Sequence, residues 1–178
     1  MMEVKVTKTT NPKVKPDPAT VPFGVAFTDH MFMMDYDSEN GWQNPRIVPF
    51  GDISLNPGAL VFHYGAEVFE GLKAYRTPSG EVQMFRPAEN FKRMNNSAER
   101  LCLPQFDVED AVEYLRKFVE VERIGCQTSM VPLCICVPSC SVQMQICTAW
   151  HLSCDIYGDC LRGRQLLQER SGSCGYAD

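Results

Sequence analysis

The sequence predicts an α+β domain, a set of short strands followed by two helices, over residues 23–123 of the 178. Three observations lead there. Between Phe23 and Phe62 the apolar runs are short and broken by Gly41, Pro45, Pro49, Gly51, Pro57 and Gly58, which is the punctuation of strands joined by turns. Thr77-Pro78-Ser79-Gly80 then separates two further apolar runs in the manner of a tight hairpin. Beyond Pro87 the apolar spacing changes to intervals of three and four, the period of a helix.

In chain order, residues 1–22 are polar and carry Pro12, Pro16, Pro18 and Pro22, so an extended, mobile or partner-embracing arm is expected. Residues Phe23 to Phe62 should be mostly strand. Tyr75 and Arg76 enter the hairpin, and Val82, Met84 and Phe85 leave it. Phe91, Met94, Ala98 and Leu101 share one face of a helix that Pro87 can begin and Pro104 stops. Asp107 offers an N-cap carboxylate to a second helix. Its apolar stripe is Val108, Ala111, Val112, Leu115, Phe118 and Val119.

A net charge of -5 supplies no broad cationic field for phosphates, so neither nucleic acid nor an anionic membrane is an expected partner. No stretch approaches the ~20 apolar residues of a membrane span, and the lysine-bearing start has no apolar segment behind it to act as a secretion signal. A cytoplasmic protein is expected, with a mitochondrial location left open.

The most specific stretch is His63-Tyr64-Gly65-Ala66-Glu67-Val68-Phe69-Glu70-Gly71-Leu72-Lys73-Ala74-Tyr75, followed by Phe85-Arg86-Pro87, Arg93-Met94 and Ser97-Ala98-Glu99-Arg100-Leu101. Phe23-Gly24, Phe27-Thr28-Asp29-His30-Met31 and Asn56-Pro57-Gly58 precede it. In this order and spacing the set resembles the branched-chain amino acid aminotransferases, from about Phe23 to Arg123. The resemblance implies the small N-terminal α/β domain of a fold type IV pyridoxal phosphate enzyme, with a larger C-terminal domain absent from this sequence. It further implies a homodimer in branched-chain amino acid biosynthesis or degradation. The reaction would convert leucine, isoleucine or valine and 2-oxoglutarate into a branched 2-oxo acid and glutamate. The catalytic lysine of such enzymes belongs to the large domain, so none of these residues is assigned a catalytic role.

Arg93 matches the family arginine that contacts the cofactor phosphate, a task suited to a planar, permanently charged donor fork. From spacing alone it would be a solvated arginine on an amphipathic helix. Phe23, Tyr64 and Phe69 match positions walling the pocket for the branched substrate side chain. As isolated aromatics they would more often be core. His30 and His63 lack ligand spacing and read as hydrogen-bonded structural histidines. Glu67 and Glu70, three apart, read as a solvated acidic pair.

The composition changes near Ile124. Of nine cysteines only Cys102 precedes Gly125, and the last lysine is Lys117. Cys134-Ile135-Cys136 has a single intervening residue and no matching Cys-x-x-Cys pair, which argues against zinc, so no metal is expected. Disulfides suit a secreted chain, which this one does not resemble. Shifting the reading frame of Met130 to Pro138 by two bases forces a glycine at the first step. The following codons then permit Thr-Ser-Leu-Tyr-Met-Arg-Pro, close to a Gly-Thr-Ser-Leu-Tyr-x-Arg-Pro segment of the same family. Residues 124–178 are therefore expected to be an out-of-frame, irregular or disordered tail. Two rival readings remain: a non-catalytic truncated chain pairing with a full-length subunit, and another fold type IV enzyme such as a D-amino acid aminotransferase.

Overall fold

The computed structural model describes residues 1–14, 27–122, 131–138 and 146–152. Its strands are β1 (Lys5–Val6), β2 (His30–Asp37), β3 (Gly41–Pro49), β4 (Glu67–Arg76), β5 (Val82–Met84), β6 (Val131–Pro138) and β7 (Ile146–Leu152). Helices α1 (Leu60–Tyr64), α2 (Pro87–Arg100) and α3 (Val108–Glu122) complete the described elements. The strands form one sheet in the order β1-β3-β2-β7-β6-β4-β5, antiparallel except where β1 lies parallel to β3.

The strand alternation decides which face is covered. Phe32 and Met34 of β2, Ile47 of β3 and Val68, Leu72 and Ala74 of β4 are buried together with Phe91, Met94 and Ala98 of α2 and Ala111, Leu115, Phe118 and Val119 of α3. One residue parity of β2, β3 and β4 thus packs beneath the two helices. Pro87 stands in the first turn of α2, as its spacing predicts. That helix ends at Arg100, short of Pro104, because Cys102 turns left-handed at φ 55°. Leu101 consequently leaves the apolar stripe and is half exposed. Asp107 caps α3 as expected, its Oδ1 accepting the Asp110 amide at 2.8 Å. In the hairpin Gly80 takes φ 86°, a conformation glycine adopts without a Cβ penalty, and Thr77 and Glu81 close the turn through Thr77 N–H to Glu81 O at 2.8 Å.

Two features depart from the expectations. Residues 1–14 are extended but not loose. Beyond the β1 pairing, the Thr7 amide donates to Ile47 O and the Lys13 amide to Asp29 Oδ1, each at 2.8 Å. The N-terminal amine also meets Asp110 at 3.1 Å. Backbone donors find the open edge of β3, which side-chain polarity alone does not reveal. Second, within the tail expected to be irregular, the described residues form β6 and β7, between β4 and β2. Val131, Leu133, Ile135 and Val137 alternate with Pro and Cys, the period of a strand. Pro132 and Pro138 fall outside Leu133 to Cys136, the part of β6 paired on both sides, so no central ladder position lacks its donor.

Candidate functional site

The site is built where α2 crosses β4. Val68, Leu72 and Ala74 bury their side chains under the helices, and the alternation puts Glu70 on the same face. Glu70 is only 4% exposed. A carboxylate there needs partners, since burying an unpaired charge is costly. It receives them from α2 and from its own strand. Arg93 Nε donates to Oε2 at 2.6 Å and Arg93 Nη2 to Oε1. Asn90, one helical turn earlier, donates to Oε1 at 3.3 Å, and the Gly71 amide to the same oxygen at 2.8 Å.

Burial pushes the Glu70 carboxyl up, but the Arg93, Asn90 and Gly71 hydrogen bonds, with the Arg93 charge, outweigh it and hold the group below its ordinary 4.5. The Glu70 hydrogen bonds and charge in turn hold the Arg93 guanidinium above its ordinary range. A depressed carboxyl stabilises the fold above its unfolded value and loses that contribution as pH falls through its folded value. The α2 to β4 clasp is therefore expected to loosen only in acid below 4.5. A carbon-13 titration of the Glu70 carboxyl checks this, and a midpoint above 4.5 contradicts it.

The two ends of the ion pair differ in exposure. Arg93 is 68% exposed and lines an open cavity of 630 Å³ with Asn96, Ser97, Glu99 and Arg100. Its Nη1 makes no hydrogen bond among the described residues, so part of the donor fork is left for a ligand. Tyr64, the last residue of α1, and Phe69 of β4 are 81% and 76% exposed. Phe69 lies on the sheet face opposite Glu70, so the structure does not bring it onto the Arg93 side. Phe23 lies outside the described residues.

His30 and His63 are hydrogen-bonded, as their spacing suggests. His63 Nε2 pairs with Pro57 O at 2.9 Å near the surface. His30 is buried, with Nδ1 2.5 Å from Glu122 Oε1 and Nε2 accepting the Thr9 amide at 2.9 Å. Glu67 and Glu70, read from sequence as a solvated pair, instead lie on opposite faces of one strand, and Glu70 is buried. The structural importance of Glu70 and Asn90 is missed by sequence spacing. The signal that could find Glu70 is an acidic residue at the apolar parity of a strand, between Val68 and Leu72.

No family model matches the chain. Sequence comparison finds a branched-chain-amino-acid aminotransferase 2 of Bacillus subtilis, 48% identical over 120 residues, which are 67% of this chain and 33% of the relative. A branched-chain-amino-acid transaminase 1 of the same organism is 52% identical over 116 residues, 65% of this chain and 33% of that one. A mitochondrial branched-chain-amino-acid aminotransferase of Saccharomyces cerevisiae is 47% identical over 122 residues, 68% of this chain and 31% of that one. This chain thus spans about a third of the length of the curated relatives it matches. Among solved structures, the Escherichia coli branched-chain amino acid aminotransferase superposes with a TM-score of 0.53 at 18% identity, covering 70% of this chain and 40% of that one. A branched-chain aminotransferase of Thermoproteus uzoniensis gives 0.53 at 18% identity, covering 72% and 41%. These superpositions show the fold alone, a mixed α/β domain of fold type IV aminotransferases. Sequence identity near one half carries the comparison further: along the 67% of its length that aligns, the chain is similar to curated branched-chain amino acid aminotransferases, of which it spans about a third.

Proposed function

We propose that this chain carries the small domain of a branched-chain amino acid transaminase, which moves the amino group of leucine, isoleucine or valine to 2-oxoglutarate. The observation that carries this reading is Arg93, an exposed guanidinium rooted on a buried carboxylate, inside a motif set shared with the family. An exposed donor edge beside a cavity that Arg100, Asn96 and Ser97 also line suits a phosphate, with the Glu99 carboxylate the one opposing charge. The residues therefore fit the phosphate of pyridoxal 5'-phosphate. That cofactor, when bound, supplies the electron sink for amino transfer.

Arg93 binds and orients the phosphate through the N–H groups that Glu70 leaves free. Tyr64 and Phe69 present exposed aromatic surface, which with Phe23 walls the aliphatic substrate pocket once the rest of the longer protein covers it. The catalytic lysine comes from the part of the relatives that this chain does not span. Residues 124–178 are proposed to be read out of frame, and the intact enzyme to be a homodimer.

Genomic reads across the Ile124 codon test the frame. A frame-restored protein is expected to be yellow and to make glutamate from leucine and 2-oxoglutarate. The 178-residue chain is expected to make none above a no-protein control. A restored protein that prefers D-alanine to leucine would overturn the substrate assignment. In it, Arg93→Ala is expected to weaken cofactor retention roughly tenfold to a hundredfold, the scale of losing a charge-assisted contact. Unchanged cofactor dissociation would reduce Arg93 to a surface residue.

A further inference from the structure

We infer that Glu70 is the positioning residue for Arg93, holding one edge of its guanidinium so that the remaining edge presents to a phosphate. The inference rests on the reading of Arg93 as the phosphate ligand and adds to it the residue that aims the ligand.

The geometry separates root from tip. An arginine that is 68% exposed would sample many rotamers if nothing held it. Here both Nε and Nη2 are engaged by the two oxygens of one buried carboxylate, which fixes the plane of the guanidinium as well as its position. Glu70 itself cannot swing. It projects from the middle of a paired strand, is 4% exposed, and accepts from Asn90 and from the Gly71 amide. Asn90 also donates to Gly71 O at 3.0 Å, so the helix and the strand are tied at the point from which Arg93 extends. With Nε and Nη2 taken, Nη1 is the nitrogen left for a ligand in the cavity that Arg93 lines with Asn96, Ser97, Glu99 and Arg100.

The other cations near this end of α2 are differently disposed. Lys92 pairs with Glu89 at 2.9 Å and Arg86 approaches the same carboxylate at 4.0 Å. Neither is among the residues lining the cavity. Arg93 and Arg100 are therefore its two basic residues, and among the described residues only Arg93 has a buried carboxylate partner.

Two roles for Glu70 predict opposite signs. If Glu70 merely neutralised Arg93, removing its charge would strengthen anion binding by ordinary Coulomb attraction. If it aims Arg93, removing it weakens phosphate binding although the site becomes more positive. A residue that only staples α2 to β4 would alter stability and leave the Arg93 side-chain signal in place.

The test uses the full 178-residue chain, titrated with pyridoxal 5'-phosphate and, as the phosphate-free control, pyridoxal. The Arg93 Nε–H resonance is followed by nitrogen-15 NMR. Glu70→Gln is expected to lower the affinity for pyridoxal 5'-phosphate about tenfold, as loss of an orienting partner does for metal ligands, and to leave pyridoxal unaffected. The Arg93 Nε–H signal should broaden or exchange away in the same variant. Asn90→Ala, which removes a support of Glu70 without touching Arg93, should produce a smaller loss in the same direction. It also keeps the test open if Glu70→Gln fails to fold. Equal or tighter binding in Glu70→Gln, with Arg93→Ala still weakened, overturns the positioning role and leaves the phosphate role standing. No effect of Arg93→Ala, or no saturable binding in the unaltered chain, overturns the phosphate reading and this inference with it.

Discussion

Replacing His30 with alanine is expected to destabilise the fold by about 3–5 kcal/mol, the cost of leaving the buried Glu122 carboxylate without its donor. His30 Nε2 accepts the Thr9 amide, so the ring proton must sit on Nδ1, facing Glu122 Oε1 at 2.5 Å. The His30 side chain is 9% exposed and that of Glu122 is 2% exposed, so water cannot take the place of the imidazole. Alanine would leave a carboxylate at the end of α3 buried without its donor, and the Thr9 amide without its acceptor. Against a total stability of about 5–15 kcal/mol for a domain of ordinary size, such a loss removes much of the folded population. Urea denaturation, with the variant compared at constant slope, measures it. The double variant His30→Ala with Glu122→Leu should recover part of the loss, because it removes the stranded carboxylate while the Thr9 amide stays without its acceptor. A cost below about 1 kcal/mol for His30→Ala would show that Glu122 is solvated and that the pair contributes little.

Phe118→Ala is the second large effect expected, also about 3–5 kcal/mol. Phe118 sits in the middle of α3, is fully buried, and belongs to the cluster that joins both helices to Phe32, Ile47 and Leu72 of the sheet. Truncation removes the ring from that contact and leaves a cavity that neighbours on three elements cannot fill without moving. Phe69→Ala offers the control. That ring is 76% exposed, and its loss should change stability by no more than about 0.5 kcal/mol. Similar midpoints for the two variants in thermal or urea unfolding would mean that α3 does not pack on the sheet as described.

The contrast between these phenylalanines shows where sequence reading reaches. Phe118 shares a stripe with Ala111, Val112 and Leu115, and its burial follows from the helical period alone. Phe69 stands beside Val68 in an apolar run, and only the pleat of β4 sends one under the helices and the other away. Tyr114 is a converse case. It sits outside the apolar stripe, yet it is 3% exposed, stacks on Phe32 at 5.5 Å and takes the Met2 amide on its hydroxyl at 3.0 Å. Its partners come from β2 and the N-terminal arm, which no local window contains.

The sequence by itself determined the resemblance to branched-chain amino acid aminotransferases, both long helices with the Pro87 and Asp107 signals that begin them, and the hairpin at Gly80. Each of these depends on residues a few positions apart, where backbone preference and apolar period act directly. Tertiary structure alone decided that Glu70 is a buried anchor, that Arg93 is held by it across 23 positions, and that His30 meets Glu122 across 92. It also decided that Lys5 to Thr7 lie on β3 instead of extending into solvent. These are choices among partners for charges and backbone donors, and burial makes a partner obligatory without naming it. Which group answers depends on the sheet order and on where α2 and α3 cross it, information that resides in the packing of distant elements and in no local pattern.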